Sequence, residues 1–229
     1  MVCRSKVNTT LKKIMTGVTA SQRLIDQAIE KNADLILVHH GYFWRGEDMR
    51  IIHMKHRRIA SLIKHDINLM GYHLPLDMEP EFGNNARLAQ LFDIQDVEGL
   101  DPFEEMPLIL KGRLKTPMTG QQFADVVAAA LNREPLHIEP DFDRMINTIA
   151  WCSGGAEDYI DKAADAGVDA YLTGEVSERT THSARELGIH FYAAGHHATE
   201  RYGIKALGEW LMQEYPTLVV EFVDCDNPV

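Results

Sequence analysis

Short apolar runs alternate with amphipathic segments along most of this chain. The runs have strand length, and the segments between them repeat apolar residues at helical spacing. This alternation predicts an α/β protein with two lobes of mostly parallel sheet. Strands are predicted at residues 13–18, 35–40, 67–72, 108–114, 135–138, 146–152, 169–173, 189–194 and 218–223. Helices are predicted after Ser21, at 54–65, after Asn85, at 120–131, around 159–163, at 177–187 and from about 196 to 215. Residues 95–107 are acidic and contain prolines, and we interpret them as a linker.

The stretch from Leu35 to Gly41 carries the first chemical signal. Four apolar residues run into His39 and His40, and Gly41 follows. Ligands of open α/β sheets bind beyond the carboxyl ends of the strands, so two imidazoles there can reach one crevice. An isolated pair of this kind is also compatible with one histidine that caps the strand and a second that is solvated.

Two further strands end in residue types that bind metals. His73 and Asp77 follow the strand at 67–72, and His196 and Glu200 lie four residues apart where the long helix begins. That spacing places His196 and Glu200 on one helix face. Each residue also fits an ordinary structural role. A helix N-terminus favours a carboxylate such as Glu200, His196 could cap that helix, and Asp77 suits a turn. Together the three strand ends favour a metal site.

The donor set indicates the kind of metal site. Three imidazoles and two carboxylates are too many for one tetrahedral ion with an open position, and they suit two ions that share a carboxylate. The candidate ligands are His39, His40, Asp77, His196 and Glu200. Mixed imidazole and carboxylate donors favour two divalent ions of zinc, iron, manganese or nickel over calcium or magnesium.

Charge and cysteine content narrow the class of protein. The 34 Asp and Glu outnumber the 23 Lys and Arg, so the formal net charge is −11. This excess argues against nucleic acid or an anionic membrane as the main partner. Cys3, Cys152 and Cys225 are scattered, which indicates neither a disulfide framework nor a zinc finger. No signal peptide or membrane-spanning run is apparent, and we expect a soluble cytoplasmic protein.

The ordered motifs of the chain resemble those of the NIF-three-like dinuclear metal-centre family, whose members are also catalogued as GTP cyclohydrolase type 2 homologues. The resemblance extends from about Lys13 to the C-terminus, and the family normally has a helix and a strand before the segment that matches Lys13. The matching motifs are Leu37-Val38-His39-His40-Gly41, His73-Leu74-Pro75-Leu76-Asp77, Gly83-Asn84-Asn85, Thr173-Gly174-Glu175 and Gly195-His196-His197-Ala198-Thr199-Glu200.

The resemblance implies a ligand assignment and an assembly. His40 and Asp77 would bind one ion, His39 and His196 the other, and Glu200 would bridge them. The family fold is two interlaced α/β lobes, here expected as 1–102 with 206–229 and as 103–205. The family assembles as a toroidal homohexamer with its metal sites facing the cavity.

Two hypotheses about function follow. The first is a metal-dependent hydrolase that acts on a nucleotide or a related small molecule, for which the resemblance implies GTP ring opening. His73, Glu175 and His182 are candidates for proton transfer or for orienting a ligand, and each equally fits a structural polar role. The second hypothesis is a metal-binding or metal-handling scaffold with protein partners and no turnover.

Overall fold

The computed structural model describes residues 10–229, so Cys3 lies outside the described part of the chain. The described chain divides into two compact units. Residues 10–76 and Gly203–Asp226 form the first unit, and Asp77–Tyr202 with Asn227–Val229 form the second. Each unit is therefore built from two separate chain segments. The lobe division expected from the sequence, 1–102 with 206–229 and 103–205, stays a prediction.

The first unit contains a parallel sheet of four strands. The strand order is β10-β1-β2-β3, and every neighbouring pair is parallel. Apolar residues on β2 are buried throughout, as expected for a strand covered on both faces. The strands are β1 (Lys13–Thr19), β2 (Leu35–His40), β3 (Asn68–Gly71) and β10 (Val219–Phe222). The helices are α1 (Gln22–Glu30), α2 (His53–Lys64) and the later turns of α8 (His196–Glu214).

The second unit contains a mixed sheet of six strands in the order β4-β5-β7-β8-β9-β6. Its central strands β7, β8 and β9 are parallel, and the outer strands pair antiparallel. The strands are β4 (Ile94–Gly99), β5 (Leu110–Met118), β6 (Leu136–Ile138), β7 (Ile146–Trp151), β8 (Ala170–Thr173) and β9 (His190–Ala193). The helices are α4 (Asn84–Leu91), α5 (Gly120–Leu131), α6 (Ile160–Asp165), α7 (Glu178–Leu187) and the first turns of α8. The one-turn helix α3 (Leu74–Asp77) spans the point where the chain passes from the first unit to the second, and only Asp77 belongs to the second.

Both faces of this mixed sheet are covered by apolar cores. Trp151 and Leu172 belong to one buried cluster, whereas Ala150 and Tyr171, each one residue earlier on the same strands, belong to another. Because successive side chains of a strand point to opposite faces, the two clusters cover opposite sides of β7 and β8. The α/β class with its parallel first sheet is thus confirmed.

The linker predicted at 95–107 is wrong for its first part, because β4 occupies Ile94–Gly99. β4 is an edge strand with four consecutive exposed residues, so it lacks the apolar run that marks a buried strand. The pairing with β5 also shifts between Gln95 and Glu98, and Asp96 has a φ of 53°. Within the described residues, no helix combines the length and apolarity that crossing a bilayer requires.

Candidate metal centre

Three imidazoles gather at the carboxyl end of the parallel sheet in the first unit. β2 ends in His39 and His40, and His73 follows β3, its neighbour in the sheet. The ring centroids are 4.7 Å apart for His39 and His40, 5.0 Å for His39 and His73, and 5.4 Å for His40 and His73. One nitrogen of each ring lies within 4.8 Å of the other two, which is a group that can hold a metal ion.

Hydrogen bonds fix the orientation of two of these rings. His39 Nδ1 donates to the carbonyl oxygen of Tyr72, 2.8 Å away, and this places the proton on Nδ1 and a lone pair on Nε2. His40 Nδ1 lies 3.1 Å from the hydroxyl of Thr19 at the end of the adjacent strand β1. Metal-binding histidines commonly have the other ring nitrogen tied to a carbonyl or similar group. The rings of His39 and His40 are thus oriented by hydrogen bonds in the way that metal-binding histidines are.

An aromatic side chain lies against this histidine cluster. The Trp44 ring meets His73 edge-on at 4.7 Å between centroids, and it meets His40 at 6.1 Å. The loop that carries Trp44 is held by Lys55 of α2, which is 3.3 Å from Glu47 and donates to the carbonyl of Asp48. The loop therefore gives the imidazoles an ordered neighbour on the side of Trp44.

The second unit contributes a histidine between two carboxylates. His196 and Glu200 lie one turn apart at the start of α8, with His196 Nε2 3.1 Å from Glu200 Oε2. His196 Nδ1 hydrogen-bonds Glu175, which follows β8. Burial alone lowers the pKa of His196, but the hydrogen bonds and charges of Glu200 and Glu175 raise that pKa to about 9. The surroundings of this ring therefore favour positive charge.

Asp77 is a buried carboxylate with fixed orientation. Asn84 Nδ2 and the hydroxyl of Ser153 both donate to Asp77 Oδ1, each over 2.8 Å. Asp77 is the last residue of the one-turn helix α3, so it lies in a short helix and not in the turn that its residue type also suited. Burial, and then the charges of Asp77 and Glu200, raise the pKa of the Cys152 thiol. The thiol thus stays protonated, and the two carboxylates lie at the same end of β7.

The missing side chain of Gly154 lets Glu200 and His196 lie close to its backbone. Its φ is 70°, and a Cβ atom there would lie 2.2 Å from Glu200 Oε1 and 3.2 Å from His196 Nε2. The Thr199 hydroxyl accepts from the Gly154 amide at 3.0 Å, while the Thr173 hydroxyl donates to the Gly154 carbonyl at 3.0 Å. These bonds fix the turn against the helix. Residues 153–155 therefore shape the site.

The predicted site residues fall into four groups, and Asp77, held by Asn84 and Ser153, forms one of them by itself. His39, His40 and His73 gather in the first unit, and His196, Glu200 and Glu175 gather in the second. His182 lies on the exposed face of α7, where its Nε2 is 3.4 Å from Glu178, and it is not among the groups of described residues that could hold a metal ion. Sequence reasoning missed the supporting roles of Gly154, Ser153, Asn84 and Thr199. For Gly154, the signal was a Gly-Gly pair three residues beyond the end of a buried strand.

The comparison with family models now adds to this geometry. The model described as Duf34/NIF3 (NGG1p interacting factor 3) matches residues 2–228. The chain belongs to the Duf34/NIF3 family. This finding confirms the family identified from the five motifs.

Curated relatives in the Duf34/NIF3 family are more than 50% identical to this chain over the matched residues. The protein of Pasteurella multocida (strain Pm70) is 58% identical over 220 residues, which are 95% of this chain and 86% of the relative. The protein of Escherichia coli (strain K12) is 52% identical over 219 residues, 96% of this chain and 86% of the relative. Both relatives are named GTP cyclohydrolase 1 type 2 homolog.

Solved structures of Duf34/NIF3 type share the fold. The protein ybgI, described as of unknown function, has a TM-score of 0.92 and 51% identity, and the match covers 98% of this chain and 88% of that one. A protein of Thermus thermophilus has a TM-score of 0.84 and 29% identity, with coverage of 98% and 87%. The fold of this chain is thus shared with solved structures, and within it His, Asp and Glu side chains form groups that could hold metal ions.

Proposed function

We propose that this protein binds two divalent metal ions and uses them to hydrolyse a nucleotide or a related small molecule. His40 and Asp77 bind one ion, His39 and His196 bind the other, and Glu200 bridges them. Family membership and the donor chemistry support this assignment. The observation that carries it is the close packing of Glu200 and His196 against Gly154, whose missing side chain lets both donor atoms lie near the backbone.

The side chains present fit the proposed ions in two respects. Imidazole with carboxylate is a donor set for zinc, iron, manganese or nickel. The two carboxylates that flank His196 raise its pKa to about 9, so this position already favours a cation. Because a divalent ion held by His196 would compete with that proton, metal affinity should fall as the pH falls.

The chemistry that such a pair of ions supplies is Lewis acidity, which polarises a carbonyl or phosphoryl oxygen and lowers the pKa of water. The chain's own residues supply orientation and proton transfer. Glu175 is a positioning residue, because its hydrogen bond to Nδ1 directs Nε2 of His196 towards Glu200. His73 packs against both His39 and His40, and we assign it the transfer of a proton from the attacking water.

GTP is the substrate we propose to test first. Relatives above 50% identity are named GTP cyclohydrolase 1 type 2 homolog, and ring opening begins when water attacks the imidazole carbon of the purine. We also propose that the protein is cytoplasmic and assembles as a toroidal homohexamer, as the family resemblance implies. The second candidate function, a metal-handling scaffold without turnover, shares the same ligands.

Metal stoichiometry tests the site before any assay of activity. Wild-type protein purified without oxygen or chelator should contain about two ions per chain by elemental analysis. Glu200→Gln should lose most of this metal, because an amide is a poor bridging ligand. Glu178→Gln, which changes an exposed glutamate on α7, is the matched control and should keep full occupancy. One ion or none in a folded, reconstituted wild type would overturn the dinuclear site.

Turnover then separates the two functions. The fully loaded protein is incubated with GTP and a panel of nucleotides, and products are separated by chromatography. Hydrolysis that is lost in Glu200→Gln and kept in Glu178→Gln supports the hydrolase. Full metal occupancy without turnover, together with transfer of the ions to an apo-protein acceptor, would contradict the hydrolase and favour the metal-handling scaffold.

A further inference from the structure

Two exposed segments of the chain combine apolar side chains with charge of a single sign. The first, which we call the basic patch, consists of residues 49–65. It contains five Lys and Arg residues and no Asp or Glu. The second, which we call the acidic groove, is built on residues 88–110 and contains six Asp and Glu residues and no Lys or Arg. The patch lies in the first unit and the groove in the second.

The basic patch exposes large apolar side chains where α2 begins. Met49 is 90% exposed and Met54 is 52% exposed, and Ile51 and Ile52 between them are exposed as well. Arg57, one turn beyond Met54, is also exposed. Several exposed apolar residues within six consecutive positions form a surface that water solvates poorly, and such surfaces mark interaction sites.

The acidic groove offers a concave apolar surface. Its cavity of about 680 Å³ is lined by residues of α4, β4 and β5 and by residues 77–80, and it has carboxylates at its edge. Phe103 is 92% exposed and Met106 is 55% exposed in the loop that borders the cavity. The apolar lining comprises Met78, Ala86, Ala89, Ile94, Val97 and Leu110.

The charge of the groove remains negative after its ion pairs are counted. Lys111 pairs with Glu98 at 3.2 Å, and Lys115 pairs with Asp93 at 3.6 Å. Both lysines come from β5, so these two pairs compensate two of the six carboxylates. The loop between β4 and β5 carries Asp101, Glu104 and Glu105 on its exposed surface. A partner for this groove should therefore be both apolar and basic.

We propose that the basic patch of one copy of this chain docks in the acidic groove of a second copy. Among the basic residues of the patch, Arg50 pairs with Asp48 at 2.7 Å and Lys55 pairs with Glu47 at 3.3 Å. The positive charge that remains comes from Arg57, Arg58 and Lys64. Together with the exposed apolar side chains, it makes the patch complementary to the groove, and every copy carries both surfaces. Because the two contacting surfaces are different, neighbouring copies join head to tail, and the chain of copies either closes into a ring or continues as a filament. This inference rests on the proposed self-assembly and is independent of metal and of turnover.

Reciprocal charge reversal tests the pairing. Arg57→Glu with Lys64→Glu reverses the patch, because these exposed residues lie two turns apart on one face of α2. Glu104→Lys with Glu105→Lys reverses the groove. Each double variant alone should run at the 25.9 kDa mass of one chain or at a smaller assembly than wild type in light scattering. An equimolar mixture should recover large species, because the reversed patch then faces the reversed groove.

The controls keep each outcome decisive. Lys205→Glu, at an exposed position of α8 outside both surfaces, should leave the assembly unchanged. Circular dichroism and melting establish that each variant is folded. A wild type that is monomeric at tens of micromolar would overturn the self-assembly itself. Wild-type mass in both double variants, or no recovery in the mixture, would overturn this pairing of surfaces and leave self-assembly standing.

Discussion

Replacing Gly154 by alanine should have two effects, one on the backbone conformation of the turn and one on the position of the Glu200 carboxylate. The φ of 70° disfavours any residue with a Cβ by about 1–2 kcal/mol. The added Cβ would also lie 2.2 Å from Glu200 Oε1, whereas ordinary contact begins near 3.4 Å. The carboxylate must therefore move by about 1.2 Å, far beyond the roughly 0.5 Å within which a functional group must be held.

Gly167→Ala is the matched control for this substitution. Gly167 has a φ of 75°, and nothing lies within 4 Å of the position of its Cβ, so the control has the same backbone strain without the contact. For a chain of this size, strain of about 1–2 kcal/mol lowers the Tm by roughly 2–8 °C. We expect this loss in Gly167→Ala with normal metal affinity. Gly154→Ala should lose at least as much stability and should also bind metal about 10–100-fold more weakly.

The assay combines two measurements on the same preparations. Tm is measured by differential scanning calorimetry on metal-free protein, and metal affinity is measured by competition with a chromophoric chelator. Metal affinities of Gly154→Ala and Gly167→Ala that agree within twofold would refute the reasoning, because they would show that the carboxylate position beside Gly154 does not matter to the ions.

Three further predictions concern other parts of the molecule. Burial alone would raise the pKa of Asp169, but hydrogen bonds from the backbone and from Arg144 lower that pKa below the ordinary value. The ionised Asp169 therefore stabilises the folded protein above about pH 4, and this stabilisation is lost as the pH falls through the lower pKa of the folded state. Asp169→Asn should cost about 1–3 kcal/mol at pH 7 in urea unfolding, and a gap from wild type that fails to shrink towards pH 3 would contradict this assignment. Gly120→Ala places a Cβ 2.5 Å from the His137 ring and should destabilise the second unit by about 1–3 kcal/mol, so an unchanged urea midpoint would speak against the close approach. His182→Ala should leave metal content and Tm within error of wild type, since His182 is exposed, and a loss of metal would return it to the site.

Much of the fold could be predicted because its central strands are buried on both faces. Residues 35–38 and 149–151 read as continuous apolar runs, and the helices between strands have caps such as Ser21 and Thr119. β4 escaped prediction because an edge strand needs only one buried flank, and its sequence of Gln95, Asp96 and Glu98 resembles that of a loop.

The candidate site divides in the same way. Histidines and carboxylates at strand ends are recognisable by residue type, so His39, His40, His196 and Glu200 could be singled out, and the family motifs assigned their roles. What supports them could not be read in advance. The hydrogen bond that Asp77 accepts from Ser153, and the one that Thr199 accepts from the Gly154 amide, join segments far apart in the chain.

The pairing of β10 with β1 has a consequence for biosynthesis. Lys13 pairs with Val219 and Thr16 with Phe222, so the partner of β1 is synthesised long after β1 itself. During translation of the second unit, the edge of β1 that later pairs with β10 remains unpaired. An open edge of this kind can recruit other strands, and pairing over such a long sequence separation is slow. Nascent chains should therefore need chaperone protection until β10 has left the exit tunnel.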